Sequence, residues 1–288
     1  MGLFYHPQKS GKGVAKREAE KRPFFKFWEL FGRKFWKLLQ LNVLYLLLCI
    51  PIVTIGPATA ALTQVMRKFV VEQPIFVFEE FFSSFKRNFK QAFIVGLLDV
   101  VFILFFLVTL FDYSSRINAD PDIMNYAMIA MTMVSGVIFL TLNLYIYPQI
   151  VSLQLSLPAM FKNAVILGVA GLKRNAVTVL CYIGVISVFV LTLPYSVAFL
   201  PLAPFSWLAF LSVFNAYPVI QQYIVNPYYE AKGEINPESP DYDGGVSVTG
   251  EDGEEVKKEE IKPLFTDLGG REAVVNKKNV KTGGKLIK

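Results

Sequence analysis

Histidine is almost missing from this chain. Among 288 residues there is one, His6. Acid–base catalysis near neutral pH and most transition-metal sites lean on imidazole, so one His in a polar leader excludes both in their usual form. Cysteine is nearly as scarce. Cys49 and Cys181 each sit inside an apolar run, which suits small buried hydrophobes rather than a disulfide or a metal pair. No glycine-rich phosphate loop ending in Lys-Ser/Thr occurs, and no Gly-x-Ser-x-Gly elbow. The expectation is a non-enzymatic chain with no cofactor and no metal.

Charge is the more telling scarcity. Only 18% of the residues are charged, against 53% hydrophobic, whereas a soluble domain is nearer 25% charged. Residues 123–161 and 175–229 contain no Asp, Glu, Lys, Arg or His. Runs this long mark an integral membrane protein. They lack the period-2 alternation of barrel strands, so helices must satisfy the backbone in lipid. The net charge of +6 comes from basic residues that flank apolar runs, as membrane topology requires; it is not a nucleic-acid signature. No signal-peptide pattern is seen in the first 37 residues, and Met-Gly-Leu-Phe-Tyr-His lacks the Ser or Thr of a myristoylation site.

What is present organises the chain into three parts. Residues 1–23 are basic and expected to be disordered. Residues 24–225 form a helical membrane domain. Residues 226–288 are polar, rich in Gly and Glu, and expected to be a mostly disordered tail. Within the domain, "FFKFWELFGRKFWK" (24–37) suits an interfacial helix. Residues 91–111, 123–147, 175–193 and roughly 203–225 read as spans, with a short acidic loop at 112–122 and a turn at Pro194, Pro201 and Pro204. With an N-terminal arm, the fold class expected is all-α and polytopic, with about five long spans plus a short N-terminal hairpin.

That arm is the puzzle. Residues 38–66 are 29 uncharged residues, about 44 Å of helix, where one crossing needs about 20 residues and two need about 40. Two alignments bear on it. "FGRKFWKLLQL", "FKRNFKQAFIV" and "LKRNAVTVLCY" each place a basic pair before an apolar helix. "IGPATAAL", "IYPQIVSL" and "AYPVIQQY" each carry proline at the third place. The chain therefore reads as three copies of one helical-hairpin unit with a cytoplasmic interfacial helix. Segments 1–37, 67–90 and 162–174 carry ten, five and three Lys plus Arg, whereas 112–122 has one against three Asp. The positive-inside rule places the three basic segments in the cytoplasm only if 38–66 enters and returns, with a break near Pro51 and a second helix from Pro57. The other reading is one full crossing with an outward basic loop. The first puts both termini in the cytoplasm.

The stretch "NVLYLLLCIPIVTIGPATAAL", followed by "FFSSFKRNFKQ", resembles the YesL-like family of bacterial integral membrane proteins, a domain of unknown function; the resemblance covers roughly residues 24–225. It implies a location in the bacterial cell membrane. Members tend to be encoded beside sugar-uptake ABC transporters, so it also implies an accessory role in carbohydrate uptake, with an ABC permease and a solute-binding protein as partners besides membrane lipid. It brings no active site. The chain lacks the Glu-Ala-Ala…Gly…Leu-Pro coupling loop of an ABC permease between 148 and 175, so it is not read as the permease.

Asp99 is the residue that most needs an account. It lies roughly 13 Å into its span, where an ion is costly and no Lys or Arg of a span can pair with it. It is either a coupling site or a neutral carboxyl bonded to a neighbouring helix. Asn143, Asn215 and Gln221 join it as a candidate polar site, against ordinary interhelical hydrogen bonding that would equally explain Gln40, Asn42 and Gln222. Phe78, Phe82, Phe85 and Phe89 fall on one helical stripe; with Leu264 and Phe265 of the tail they are candidate partner-docking residues. The alternative function is a self-contained small-solute transporter or channel.

Overall fold

The computed structural model describes residues 22–119, 121–153, 155–202, 204–232 and 236–238. Its helices are α1 (Pro23–Cys49), α2 (Ile55–Val70), α3 (Val77–Arg87), α4 (Phe89–Ala119), α5 (Ile123–Ser152), α6 (Leu157–Ala170), α7 (Leu172–Leu191), α8 (Pro204–Ile220) and α9 (Asn226–Lys232). Short 3₁₀ segments at Ile52–Thr54 and Tyr195–Leu202 precede α2 and α8, and a π-helical turn joins α8 to α9. No strand occurs among the described residues. The all-α, polytopic expectation therefore holds. Among the described residues, four helical stretches are long and apolar enough to cross a membrane: α4, α5, α7, and α8 continued through α9. The fifth long span expected from composition is not among them.

Residues 38–66 go in and come back. Tyr45 of α1 meets Thr59 of α2 at 3.2 Å, and the Lys34 ammonium lies 5.2 Å over the Phe69 ring. These pairings make α1 and α2 antiparallel. The same holds for α4 and α5, where Phe102 stacks on Phe139 at 4.0 Å, and for α7 and α8, where Tyr182 meets Ser212 at 2.6 Å. Three hairpins result, with α3 and α6 leading into the second and third. In the first unit the interfacial stretch is continuous with α1. Both ends of the described chain lie at the basic end of the bundle: Phe27 packs on Phe214, and Glu238 meets Arg67.

Burial is inverted relative to a soluble protein. Of the candidate spans α4 has the highest mean hydropathy, yet it buries only Ala92, Val95 and Gly96, while the modestly polar α2 buries 11 of its 16 residues, including Thr63 and Gln64. Long apolar side chains such as Phe105 and Val108 point outward. Cys181 is exposed on an outer face rather than buried, and Cys49 is half-buried. In lipid no hydrophobic force drives helices together, so small residues that allow close approach occupy the centre. Gly56, Pro57, Ala58, Ala60 and Ala61 of α2 are buried for this reason. The start of α2 crosses α4 at Ala92 and Gly96, residues four apart on one face. A Cβ on Gly56 would lie 2.0 Å from the Ala92 carbonyl oxygen.

The crossing also fixes depth. Gly96 lies about 10 Å along α4, and the charged stretch from Asp112 begins about 24 Å beyond it. The hairpin tip therefore lies well short of the far end of α4. Its exposed residues Ile50, Ile52 and Val53 are all apolar. Pro51 stops α1, and the Thr54 hydroxyl is shared between the freed carbonyls of Leu48 and, at 2.7 Å, Pro51. The break before α8 is satisfied by Asn42, fully buried on α1. Its Nδ2 donates to Leu200 O (2.8 Å) and Pro201 O (3.2 Å), and its Oδ1 accepts from the backbone N–H groups of Phe205 and Ser206.

Two boundaries differ from the sequence reading. The acidic stretch 112–119 stays helical, with an Asp112–Arg116 pair at 2.9 Å one turn apart. At the other end the chain does not lose structure at Asn226: α9 continues the last span, and residues 236–238 fold back on the bundle. Residues 1–21, with His6, and 239–288, with Leu264 and Phe265, lie outside the described residues.

Gly56→Ala and Gly96→Ala should each lower the melting temperature in detergent, because the added methyl meets backbone that cannot yield. Overpacking costs about 1–3 kcal/mol. Gly32→Ala and Gly184→Ala meet nothing within 4 Å and should be neutral or slightly stabilising. Equal effects at all four positions would remove the crossing from its central role.

Candidate functional site

The intramembrane acid sits in the seam between α4 and α5. Tyr147 Oη donates to Asp99 Oδ2 at 2.6 Å, and Asn143 lies one turn before Tyr147 on α5. The Asn143 amide donates to Phe139 O at 3.2 Å, while its Oδ1 is buried without a hydrogen-bond partner. On α1, Tyr45 meets Thr59 of α2. Asp99 is thus held by the Tyr147 hydroxyl, with no ion pair among the described residues.

The other two candidate polar residues lie elsewhere. Asn215 donates to Thr178 Oγ1 at 2.8 Å in the α7–α8 seam. Gln221 opens the π turn at the basic end of α8. The structure therefore brings Asp99 and Asn143 together and leaves Asn215 and Gln221 apart from them. Each in-span pair is closed by a neighbour from an adjacent helix, so the four do not line one path.

The aromatic stripe is also split. On α3, Phe78 and Phe82 are exposed, together with Phe76 just before it and Phe89 at the start of α4. Phe81, not part of the expected stripe, is fully buried, and Phe85 packs against the core. The buried face is offset from that stripe by one residue, about 100°, because Val77, Phe81 and Ser84 are the residues buried against the bundle. Glu80 then locks α3 to α2: it accepts from Gln64 Nε2 and from Lys68 Nζ, both at 2.8 Å. Burial pushes the Glu80 carboxyl up, but the Lys68 and Gln64 hydrogen bonds outweigh it and hold the group below its ordinary range.

Sequence reasoning missed a third cluster. Arg67, counted only as a topology charge, is enclosed by Gln64, Tyr217 and Glu238. A signal was available in Gln64, Arg67 and Lys68, which place an amide and two cations on neighbouring turns of α2; their partners, from α3, α8 and the segment beyond α9, were not legible. No group of three or more His, Cys, Asp or Glu that could hold a metal occurs among the described residues.

A family model described as a protein of unknown function, DUF624, matches residues 38–113. The match runs from the second half of α1, through the hairpin tip and α2, into α4. It contains Asn42, Thr54, the Gly56–Gly96 crossing, Glu80 and Asp99. No curated protein and no solved structure matches the chain.

Two outcomes are expected. Tyr147→Phe removes the donor to Asp99 and should destabilise the protein by about 1–3 kcal/mol, with Asp99→Asn in the same background adding little because the two act as one pair. For Glu80 the sign follows from its depressed value: its contribution is present above the unfolded-chain value of about 4.3 and is lost as pH falls through the folded value. The melting temperature in detergent should therefore drop on acidification from about pH 5 to pH 3, and Glu80→Gln should flatten that slope. An unchanged slope in the variant would assign the acid sensitivity to another group.

Proposed function

We propose that this chain is a non-enzymatic membrane accessory subunit that acts by binding another membrane-embedded subunit. The observation that carries the reading is α3, a helix whose buried side is locked to α2 by Phe81 and Glu80 while Phe78 and Phe82 face outward. An aromatic face held rigidly at the end of a bundle loses little conformational entropy on docking. The basic end carries Lys68, Lys86 and Arg87, which favours a cytoplasmic placement of that end and of both ends of the described chain. The partner proposed is a carbohydrate ABC transporter, through its permease and solute-binding protein. The support for that choice is the resemblance to the YesL-like family of the bacterial cell membrane, with which the DUF624 match is compatible.

A second reading rests on a different observation, the carboxyl of Asp99 in the α4–α5 seam beside Tyr147 and the unpartnered Asn143 Oδ1. In it the chain is a transporter that couples solute movement to a proton at Asp99.

Affinity purification in mild detergent from the native bacterium separates the two. An accessory subunit should bring down an ABC permease in stoichiometric amount, and Phe78→Ser with Phe82→Ser should reduce that yield at least tenfold without changing the melting temperature. If the chain purifies alone, proteoliposome uptake tests the second reading, and transport that survives Asp99→Asn would sink it.

A further inference from the structure

Arg67 projects from the last turn of α2 into the seam with α8, and its side chain is only 12% exposed. Its Nε donates to Gln64 Oε1 at 3.1 Å. One terminal nitrogen donates to Tyr217 Oη at 3.0 Å and to Glu238 Oε1 at 2.6 Å. The guanidinium lies 5.5 Å from the centre of the Tyr217 ring, and Tyr217 Oη donates to the second oxygen of Glu238. A guanidinium removed from water needs a counter-charge. Glu80, the other acid nearby, is held by Lys68 and Gln64, so the charge that balances Arg67 comes from beyond the last helix.

The segment that delivers it is shaped for the task. Asn236 is nearly buried. Its amide donates to Asn226 Oδ1 at 2.9 Å, anchoring the turn to the first residue of α9. Its own Oδ1 accepts from the Glu238 N–H at 2.9 Å, a local side-chain turn of the kind Asn favours. The Glu238 side chain is only 16% exposed.

We infer that Arg67 and Tyr217 form a carboxylate-binding site at the basic end of the α2–α8 seam, and that the chain's own Glu238 is the ligand that occupies it. The site takes one carboxylate with both oxygens engaged, one by the guanidinium and one by the phenol, which is the geometry that distinguishes a carboxylate from a neutral amide. It ties the segment beyond α9 to α2, the most buried helix of the bundle. The inference does not depend on which partner the protein serves.

Chemical rescue of the full-length protein tests it. Melting temperatures in detergent are compared for the wild type, Glu238→Ala, Arg67→Gln and the double variant, in sodium acetate and in sodium chloride at equal ionic strength. Glu238→Ala should melt several degrees lower, because it leaves a buried cation alone, and the double variant should lose less than the two single losses added. Acetate should raise the melting temperature of Glu238→Ala in a saturable way and leave the wild type and the double variant unmoved. Additive losses, an acetate effect that is the same in all four proteins, or a Glu238→Ala variant as stable as the wild type would each overturn the assignment. If Glu238→Ala fails to accumulate, Glu238→Asp and Glu238→Gln replace it: the charged, shorter acid should be the more stable of the two, and the reverse order would overturn the site.

Discussion

A helix that ends inside lipid leaves backbone groups that no water can satisfy, and the two breaks in this bundle, before α2 and before α8, are both closed by side-chain hydrogen bonds. Everything in the first and third hairpins follows from how those ends are closed. At the tip between α1 and α2 the closure is local: Thr54 covers the carbonyls of Leu48 and Pro51, and Pro57 sits in the first turn of α2, where its missing N–H costs nothing. At the start of α8 the closure is borrowed. Asn42 reaches across from α1 and serves two carbonyls and two N–H groups at once. A single amide thus couples the two hairpins, and the broken helix can exist only beside an intact one.

The same constraint explains where polar side chains stand. Four in-span pairs join adjacent helices: Tyr147 with Asp99, Tyr45 with Thr59, Asn215 with Thr178, Tyr182 with Ser212. These bonds add modestly to stability in lipid, on the order of 1 kcal/mol each. Their larger effect is on register, since sliding one helix by a residue would strand both members of a pair. Van der Waals contact sets the closest approach. The Gly56–Gly96 crossing brings α2 and α4 backbone to backbone, and larger residues farther along each helix let them diverge.

Much of this was legible in the sequence. Continuous uncharged runs identify the helices and their environment, and the asymmetry of Lys and Arg favours a return of 38–66 over a crossing. Pro51 and Pro57 mark the tip correctly, because proline's missing N–H and fixed φ act locally. The facing of α3 was not legible. With phenylalanine at 78, 81, 82, 85 and 89, periodicity alone admits two neighbouring faces, and Glu80 reaching Lys68 decides between them. Nor was the grouping of the polar residues: Asn215 and Asn143 look alike in sequence, but which seam each enters depends on helix packing. The end of the folded region was misplaced for a related reason. Composition past Asn226 cannot build a core, yet a short segment needs only one strong polar anchor to dock on a core that already exists.

The arrangement also separates what is fixed from what is free to meet another protein. The α1–α2 hairpin is held at its tip by the contact with α4 and at its base by the Lys68–Glu80 and Arg67–Glu238 pairs. Moving α2 along its axis would break both ends together and expose charges that lipid cannot solvate. The far halves of α4 and α5 carry no such ties. They pack on each other through Phe102, Phe106 and Phe139, bury little else, and run about 24 Å beyond the Gly56 crossing before meeting charge at Asp112. The rigid base thus carries an aromatic edge at α3, and a long apolar hairpin rises beside it. Asp99 lies where α4 and α5 emerge from the tied region, and its bond to Tyr147 is the last polar tie between the two helices before their apolar halves begin.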